Sequence, residues 1–270
     1  MDERVRVTVA DHVATATLIR SDKHNALDQA MFDGLAAAAA EIAATPGVRC
    51  VVLHGDGPSF CSGLDVMSFA EAGGLDKDHA LFQPRADGSR GNAAQRAALD
   101  WADLPMPVIA AIHGNCLGGG LQIALGADIR ISHPDAKLSI REMHWGLIPD
   151  MGITVTLPPL VSVDVAKELT YTGRIVCAEE AKAMGLVTRL ADDPLAAAQE
   201  LAAEIAGRSP DATRAAKQLF DSVYASGPDL DLEAQLQMTI IGTPNQFAAA
   251  VAGMTKQPAE FTDPEPVPAP

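Results

Sequence analysis

The chain opens on two stretches, "RVRVTVA" at 4–10 and "VATATLI" at 13–19, in which apolar and polar positions alternate. Alternation of period two on either side of Asp11-His12 predicts a β-hairpin. The period then lengthens: "MFDGLAAAAAEIAA" at 31–44 has helical spacing, follows the cap and turn residues of "SDKHNALDQ", and ends at "TPG". "VRCVVLHG" at 48–55 and "MPVIAAIHG" at 106–114 are short apolar runs and predict buried strands, the first covered on both faces. "LDVMSFAEA" starts a helix, another runs from about Asn92 to Trp101, and "DIRISH" and "AKLSI" add two strands. The polar, irregular segment from Gly73 to Gly91 reads as a mobile surface stretch.

Beyond Asp150 the pattern turns helical, in "VDVAKELTYTG", "AEEAKAMG", "LAAAQELAAEIAGR" and finally "TPNQFAAAVAGMTK". Alternating strands and helices predict an α/β core. A strand-strand-helix unit recurs at roughly 40–50 residues, which admits a spiral of repeats or an open doubly wound sheet. The predicted division is a core over 1–198, a helical region over 199–261, and a Pro-rich tail over 262–270 that should be disordered.

Composition narrows the chemistry. With 270 residues, 48% of them hydrophobic, the chain can bury one large core. It carries 35 acidic and 20 basic residues, for a net charge of -15, with no cluster of Lys and Arg, which argues against nucleic acid as a partner. An anionic ligand would need cations placed locally against this global field. The cysteines, Cys50, Cys61, Cys116 and Cys177, are scattered without CxxC spacing and read as reduced, mostly buried thiols of a cytoplasmic protein. The first residues are charged and alternating, unlike a signal peptide, and no run reaches the roughly 20 apolar residues of a membrane span. The histidines show no HxH or HExxH spacing, so no metal is expected.

Two stretches share one local design. "VVLHGDGPSFCSGLD" and "VIAAIHGNCLGGGLQ" each run from strand through a glycine-rich loop into a helix start. Glycine inside a helix is about 1 kcal/mol worse than alanine, so the run Gly118, Gly119, Gly120 calls for a reason. Close helix–strand packing is one reason. Another is two free N–H groups facing one point as an oxyanion hole, each typically worth about 2.7–4 kcal/mol to a transition state. Neither loop is GxxxxGK[ST] or GxGxxG, so nucleotide loops are absent. Ser59 and Ser62 lie in the first loop, but no GxSxG elbow supports a nucleophile.

Taken in order, these segments resemble the crotonase superfamily, the enoyl-CoA hydratase/isomerase family, over nearly the whole chain. "RSDKHNALD" is similar to the family's R-P-x-x-x-N-A-L segment, with Ser21 in place of proline, and the two glycine loops resemble its two glycine loops. "LSIREMHWGLIPDMG" resembles the segment that holds a catalytic glutamate, and "MTKQPAEF" the C-terminal K-R-x-P-x-F ending. The resemblance implies a spiral of ββα units with a C-terminal helical trimerisation region, hence a homotrimer or a dimer of trimers. It implies an acyl-CoA thioester as substrate, without a further cofactor. Carried over by position, the thioester oxygen would sit between the N–H groups of Leu64, just after Gly63, and Gly119, beside Gly118.

Hydratases of the family use two glutamates. One position is Glu142; the other holds Gln122, which cannot carry a proton but can donate and accept hydrogen bonds. Apolar surroundings should raise the Glu142 pKa. Asp150 follows Glu142 at the interval seen in the family's dienoyl-CoA isomerases, and equally fits a helix N-cap. Arg20 and Lys23 are candidate neighbours of the CoA phosphates. The resemblance places Asn25, Ala26, Ser62, Asp65 and Val66 at the nucleotide end, while Met67 stands where some members have lysine. Trp145 and His144 line the pocket or the core, and Lys256 could supply charge, to a neighbouring subunit among others. A single matched glutamate favours 3-enoyl to 2-enoyl-CoA isomerisation. Hydration by that one glutamate and a non-catalytic acyl-CoA-binding relative are the alternatives.

Overall fold

The structure is a computed structural model and describes residues 3–71, 79–83 and 91–265. The hairpin forms as β1 (Val5–Ala10) and β2 (Val13–Leu18), paired antiparallel. Its turn residues Asp11 and His12 both have positive φ, the two-residue turn whose twist matches the strands. Alternation does its work on β2, where Ala14, Ala16 and Leu18 are fully buried. Helix α1 (Gln29–Ala44) follows, capped by the Asp28 carboxylate on the Met31 amide, and leads to β3 (Cys50–Gly55) and α2 (Val66–Glu71).

Helix α3 (Ala93–Ala102) starts at Asn92 with a capping box to Gln95. Next come β4 (Val108–Ile112), β5 (Asn115–Leu117), α4 (Gly119–Leu125), β6 (Ile129–Ser132) and β7 (Lys137–Ser139). Then follow α5 (Ile153–Thr156), α6 (Val163–Thr172), β8 (Val176–Cys177), α7 (Ala178–Met184) and β9 (Arg189–Leu190). Helices α8 (Pro194–Ala206), α9 (Pro210–Ser226), α10 (Leu230–Ile240) and α11 (Pro244–Thr255) close the chain.

Two sheets result, in the orders β1-β2-β3-β4-β6-β9 and β5-β7-β8. From β4 to β7 the strands alternate between sheets: β4 and β6 go to the larger, β5 and β7 to the smaller. The parallel Cys61–Cys116 bridge extends the smaller sheet to the loop after β3. The middle units thus give one strand to each sheet, while both strands of the first hairpin join the larger one, which makes a spiral of ββα units rather than an open doubly wound sheet. The central strands of the larger sheet are buried on both faces: Val51 and Leu53 face the main core, while Cys50 and Val52 face α8 with Ile109, Ala111 and Ile131.

Helix α8 is continuous across the boundary predicted between residues 198 and 199. Its Ala198 and Ala202 pack on the sheet, so the whole helix goes with the core. The predicted disordered tail is held over 262–265: Arg49 pairs with Asp263, and Thr262 and Asn245 exchange backbone–side-chain hydrogen bonds. Residues 266–270 lie outside the described residues. So does most of the segment expected to be mobile, although Ala80–Phe82 within it form a 3-10 turn that buries Leu81. No described helix is long and apolar enough to cross a membrane. Cys50, Cys61 and Cys116 are buried and Cys177 is exposed; none of them is in a disulfide.

Candidate active site

The first glycine loop is zipped onto residues 24–27. The Ser62 amide donates to His24 O (3.0 Å), Leu27 N–H to Gly63 O (2.8 Å) and Asp65 N–H to Leu27 O (3.0 Å). In a trans peptide the C=O and N–H point to opposite sides. The bond from Leu27 to Gly63 O therefore aims the Leu64 N–H away from this segment. Asn25 is fully buried and clamps the zipper, accepting from Arg20 N–H and donating to Asp56 O and Ser59 O.

The second loop lies against the first. The Cys61 amide donates to Asn115 O and the Leu117 amide to Cys61 O, each at 3.0 Å. A methyl group on Gly63 would stand 3.6 Å from the Gly119 nitrogen. Gly118, with φ +53° and ψ −123°, takes a conformation L residues avoid. Its O accepts Gln122 N–H (3.1 Å), so the Gly119 N–H points out from the start of α4. Close approach dictates the other two glycines. A Cβ on Gly120 would lie 2.4 Å from Cys61 O, and one on Gly119 2.8 Å from both Leu27 Cδ1 and Met151 Sδ. Packing and a free amide are thus both served by the run. Among the described residues neither the Leu64 nor the Gly119 N–H meets an acceptor.

Beside the second loop sits the carboxylate. Glu142 opens a 3-10 turn, Glu142–Trp145, held by Ser139 Oγ and Arg141 Nη1, which both donate to Gly173 O at 2.9 Å. Its Oε1 accepts Gln122 Nε2 at 2.7 Å and would lie 3.3 Å from a Cβ on Gly118. The Met151 amide donates to Gln122 Oε1 (2.8 Å), which fixes the amide so that its NH2 group faces Glu142. Gln122 is 1% exposed. Glu142 Oε2 is shielded from solvent and has no hydrogen-bond partner among the described residues. Burial pushes the Glu142 carboxyl up, partly offset by its own amide and the Gln122 bond, and the Asp150 charge raises it further. Asp150, which still reaches solvent, is also raised, mainly by the protein packed around it. Asp150 is not a helix cap. The cap of α5 is Gly152, and no side chain bonds there.

Several predicted ligand residues are placed otherwise. The Arg20 side chain is 11% exposed, pairs with Asp65 (2.8 Å) and Asp28 (3.4 Å), and donates to Ala26 O, so its polar atoms are engaged within the protein. The Asn25 side chain and the Ala26 carbonyl are likewise committed internally. Asp65 caps α2 through the Ser68 amide. Burial would raise its carboxyl, but that amide, Arg20 and Lys23 outweigh burial and hold it low. Ser62 Oγ donates to Lys23 O, a turn role, and Ser59 is buried against His24. Lys23 and Met67 are exposed, and Val66 is half-buried at the start of α2. Trp145 is 59% exposed with its ring against His144, so neither is core. Lys256 is exposed at the end of α11. Among the described residues no group of His, Cys, Asp and Glu could hold a metal. Sequence reasoning missed Met151 and Leu27, whose backbone amides aim Gln122 and Leu64; backbone roles leave no residue-type signal.

Two amides on adjoining loops next to a dry carboxylate oxygen can hold a carbonyl oxygen and exchange a proton beside it. The fold defines the class, a spiral α/β protein with a C-terminal helical region. The family model described as Enoyl-CoA hydratase/isomerase matches residues 8–256. YngF of Bacillus subtilis (strain 168), named for the same hydratase/isomerase pair, is 40% identical over 221 residues, 80% of this chain and 81% of that one. The mouse mitochondrial Delta(3,5)-Delta(2,4)-dienoyl-CoA isomerase is 33% identical over 276 residues, 94% of this chain and 80% of that one. The crystal structure of an enoyl-CoA hydratase from Bacillus anthracis matches with TM-score 0.85 at 32% identity, covering 96% of this chain and 98% of that one. The chain belongs to the enoyl-CoA hydratase/isomerase family, within the crotonase superfamily.

Proposed function

We propose that this protein isomerises an enoyl-CoA thioester from the 3-enoyl to the 2-enoyl form. The observation that carries this is the direct 2.7 Å hydrogen bond between Gln122 and Glu142. Hydration by a carboxylate pair needs a water between the two side chains. A direct bond leaves no room for one, and an amide carries no proton. The thioester oxygen binds the Leu64 and Gly119 amides. Glu142 Oε2 takes a proton from C2, and charge spreads over C2–C4 and the thioester oxygen. The same oxygen then returns the proton to C4. One carboxylate suffices because the proton leaves and returns on one face.

The test is an assay of purified protein with 3-enoyl- and 2-enoyl-CoA. Isomerisation without hydration is expected; hydration without isomerisation sinks the reading in favour of single-glutamate hydration. Thioester binding with no turnover on either substrate would leave a non-catalytic acyl-CoA-binding protein. Gln122→Glu should add hydration, by restoring a second carboxylate.

A second reading rests on Asp150, which acts electrostatically on Glu142 and lies eight residues after it. Two carboxylates would move a proton farther, as a 3,5- to 2,4-dienoyl-CoA shift requires. Turnover of a 3,5-dienoyl-CoA that Asp150→Asn abolishes, with 3-enoyl turnover spared, would select it. Assembly as a trimer or a dimer of trimers accords with the exposed Phe220, Tyr224, Met238, Phe247 and Met254 on α9–α11, and sedimentation velocity checks it.

A further inference from the structure

From the geometry around Arg20 we infer that this side chain is a positioning residue for the oxyanion hole. The inference rests on the proposed use of the Leu64 amide to hold a thioester oxygen. That amide is aimed by the short bridge in which Leu27 N–H donates to Gly63 O and Asp65 N–H to Leu27 O. Arg20 spans both sides of the bridge. On one side its Nη1 donates to Ala26 O (2.9 Å) and its Nε pairs with Asp28 (3.4 Å). On the other its Nη2 pairs with Asp65 Oδ2 (2.8 Å).

Both carboxylates are themselves fixed. Asp28 Oδ1 caps α1 at the Met31 amide, and its Oδ2 also binds Arg4 Nη2 at 2.9 Å. Asp65 Oδ1 caps α2 at the Ser68 amide. Arg20 therefore joins two helix caps, and the residue just before one of them is Leu64. The Arg20 side chain is 11% exposed and Asp65 15%, so the pair is largely shielded. A planar, multidentate guanidinium can reach these acceptors together, whereas a lysine ammonium is a point charge on a flexible stem. Loss of the fork frees Ala26 O and one carboxylate and loosens the bridge, which lets the Leu64 N–H turn.

Arg20→Lys tests this with three measurements: steady-state kinetics, affinity for CoA itself, and the red shift of a bound conjugated cinnamoyl-CoA, which reads carbonyl polarisation. The expected result is a kcat about 10–100-fold lower with little change in KM, as for a displaced oxyanion donor. The red shift should shrink, while CoA affinity stays within about twofold, as expected where no phosphate contact is lost. Wild-type kcat and red shift in Arg20→Lys overturn the inference. So does a fall in CoA affinity that parallels kcat, since Arg20 would then contact phosphate. Should Arg20→Lys not fold, Asp65→Asn keeps an oxygen for the Ser68 amide and removes the ion pair; the same expectations and refutations apply. If wild type itself shows neither red shift nor enoyl-CoA turnover, the hole has failed and this inference falls with it. A wild-type red shift that Arg20→Lys preserves defeats the positioning role alone.

Discussion

Glu142 holds an oxygen that none of the described residues satisfies, and the shift in its carboxyl has consequences for both stability and rate. Its folded pKa lies above the ordinary 4.5. Between those two values the folded state keeps a proton that the unfolded state releases, so stability falls as pH rises through that window and stays lower above it. Glu142→Gln removes the ionisable group and should raise the melting temperature at neutral pH relative to wild type, by calorimetry. It should also lower kcat by about 10²–10⁴-fold, the usual worth of a general base. Because the base must be ionised, kcat should rise with pH along an acid limb above the ordinary carboxylate range. Gln122→Glu would set a second carboxylate facing Glu142, and the added like charge would raise the Glu142 carboxyl further. The acid limb should move to still higher pH; an unmoved limb in a pH–rate profile would show that the 122 side chain does not touch Glu142 in solution. Both residues were legible from their motif. Their direct bond was not, because it spans twenty positions and depends on the Met151 amide turning Gln122 toward Glu142.

The elements that build the site owe their form to two kinds of signal. Period-two alternation made the hairpin legible, and short apolar runs made β3 and β4 legible, because each pattern reflects how a strand is covered. The glycine loops were legible as a pair, but the reason for each glycine needed the neighbour it approaches. Helices α9 and α10 fall within the helical region predicted over 199–261 but were not delimited there: Phe220, Tyr224, Leu230 and Met238 are all exposed, and an apolar stripe left uncovered by the described residues has no clear inward face. The two-residue strands β8 and β9 are too short for any periodicity. Gly120→Ala makes the loop contact measurable. Its Cβ, fixed to the backbone, would meet the backbone Cys61 O at 2.4 Å, so the two loops must part. We expect a stability loss of about 1–3 kcal/mol in urea denaturation, the range for an overpacked interior. Activity should fall further than that loss explains, since the same movement separates the Leu64 and Gly119 amides. A variant as active per folded molecule as wild type would detach the loop contact from the chemistry.

At the scale of the molecule, the end of the chain is a strap. Arg49, just before β3 and 9% exposed, donates to Ala206 O at the end of α8, to Phe261 O, and to the Asp263 carboxylate. Asn245, at the start of α11 and 5% exposed, exchanges two bonds with Thr262 and donates to Asp211 in the first turn of α9. A proline-rich composition hid this, because the attachment uses backbone groups and one carboxylate rather than an apolar face. Asp263→Ala leaves a nearly buried guanidinium without its counterion and should lower stability by about 1–3 kcal/mol, the range for a hydrogen bond to a charged group. Asn245→Ala should lower it comparably, by stranding the Thr262 amide. Neither residue touches the glycine loops or Glu142, so kcat below the melting transition should not change. The two positions are far apart in sequence but grip one segment. Once either grip is lost, the segment lifts and the other has less to hold. The double variant should therefore lose distinctly less than the sum of the single losses. Additive losses in a double-mutant cycle would mean that each contact acts locally and that the tail is no strap.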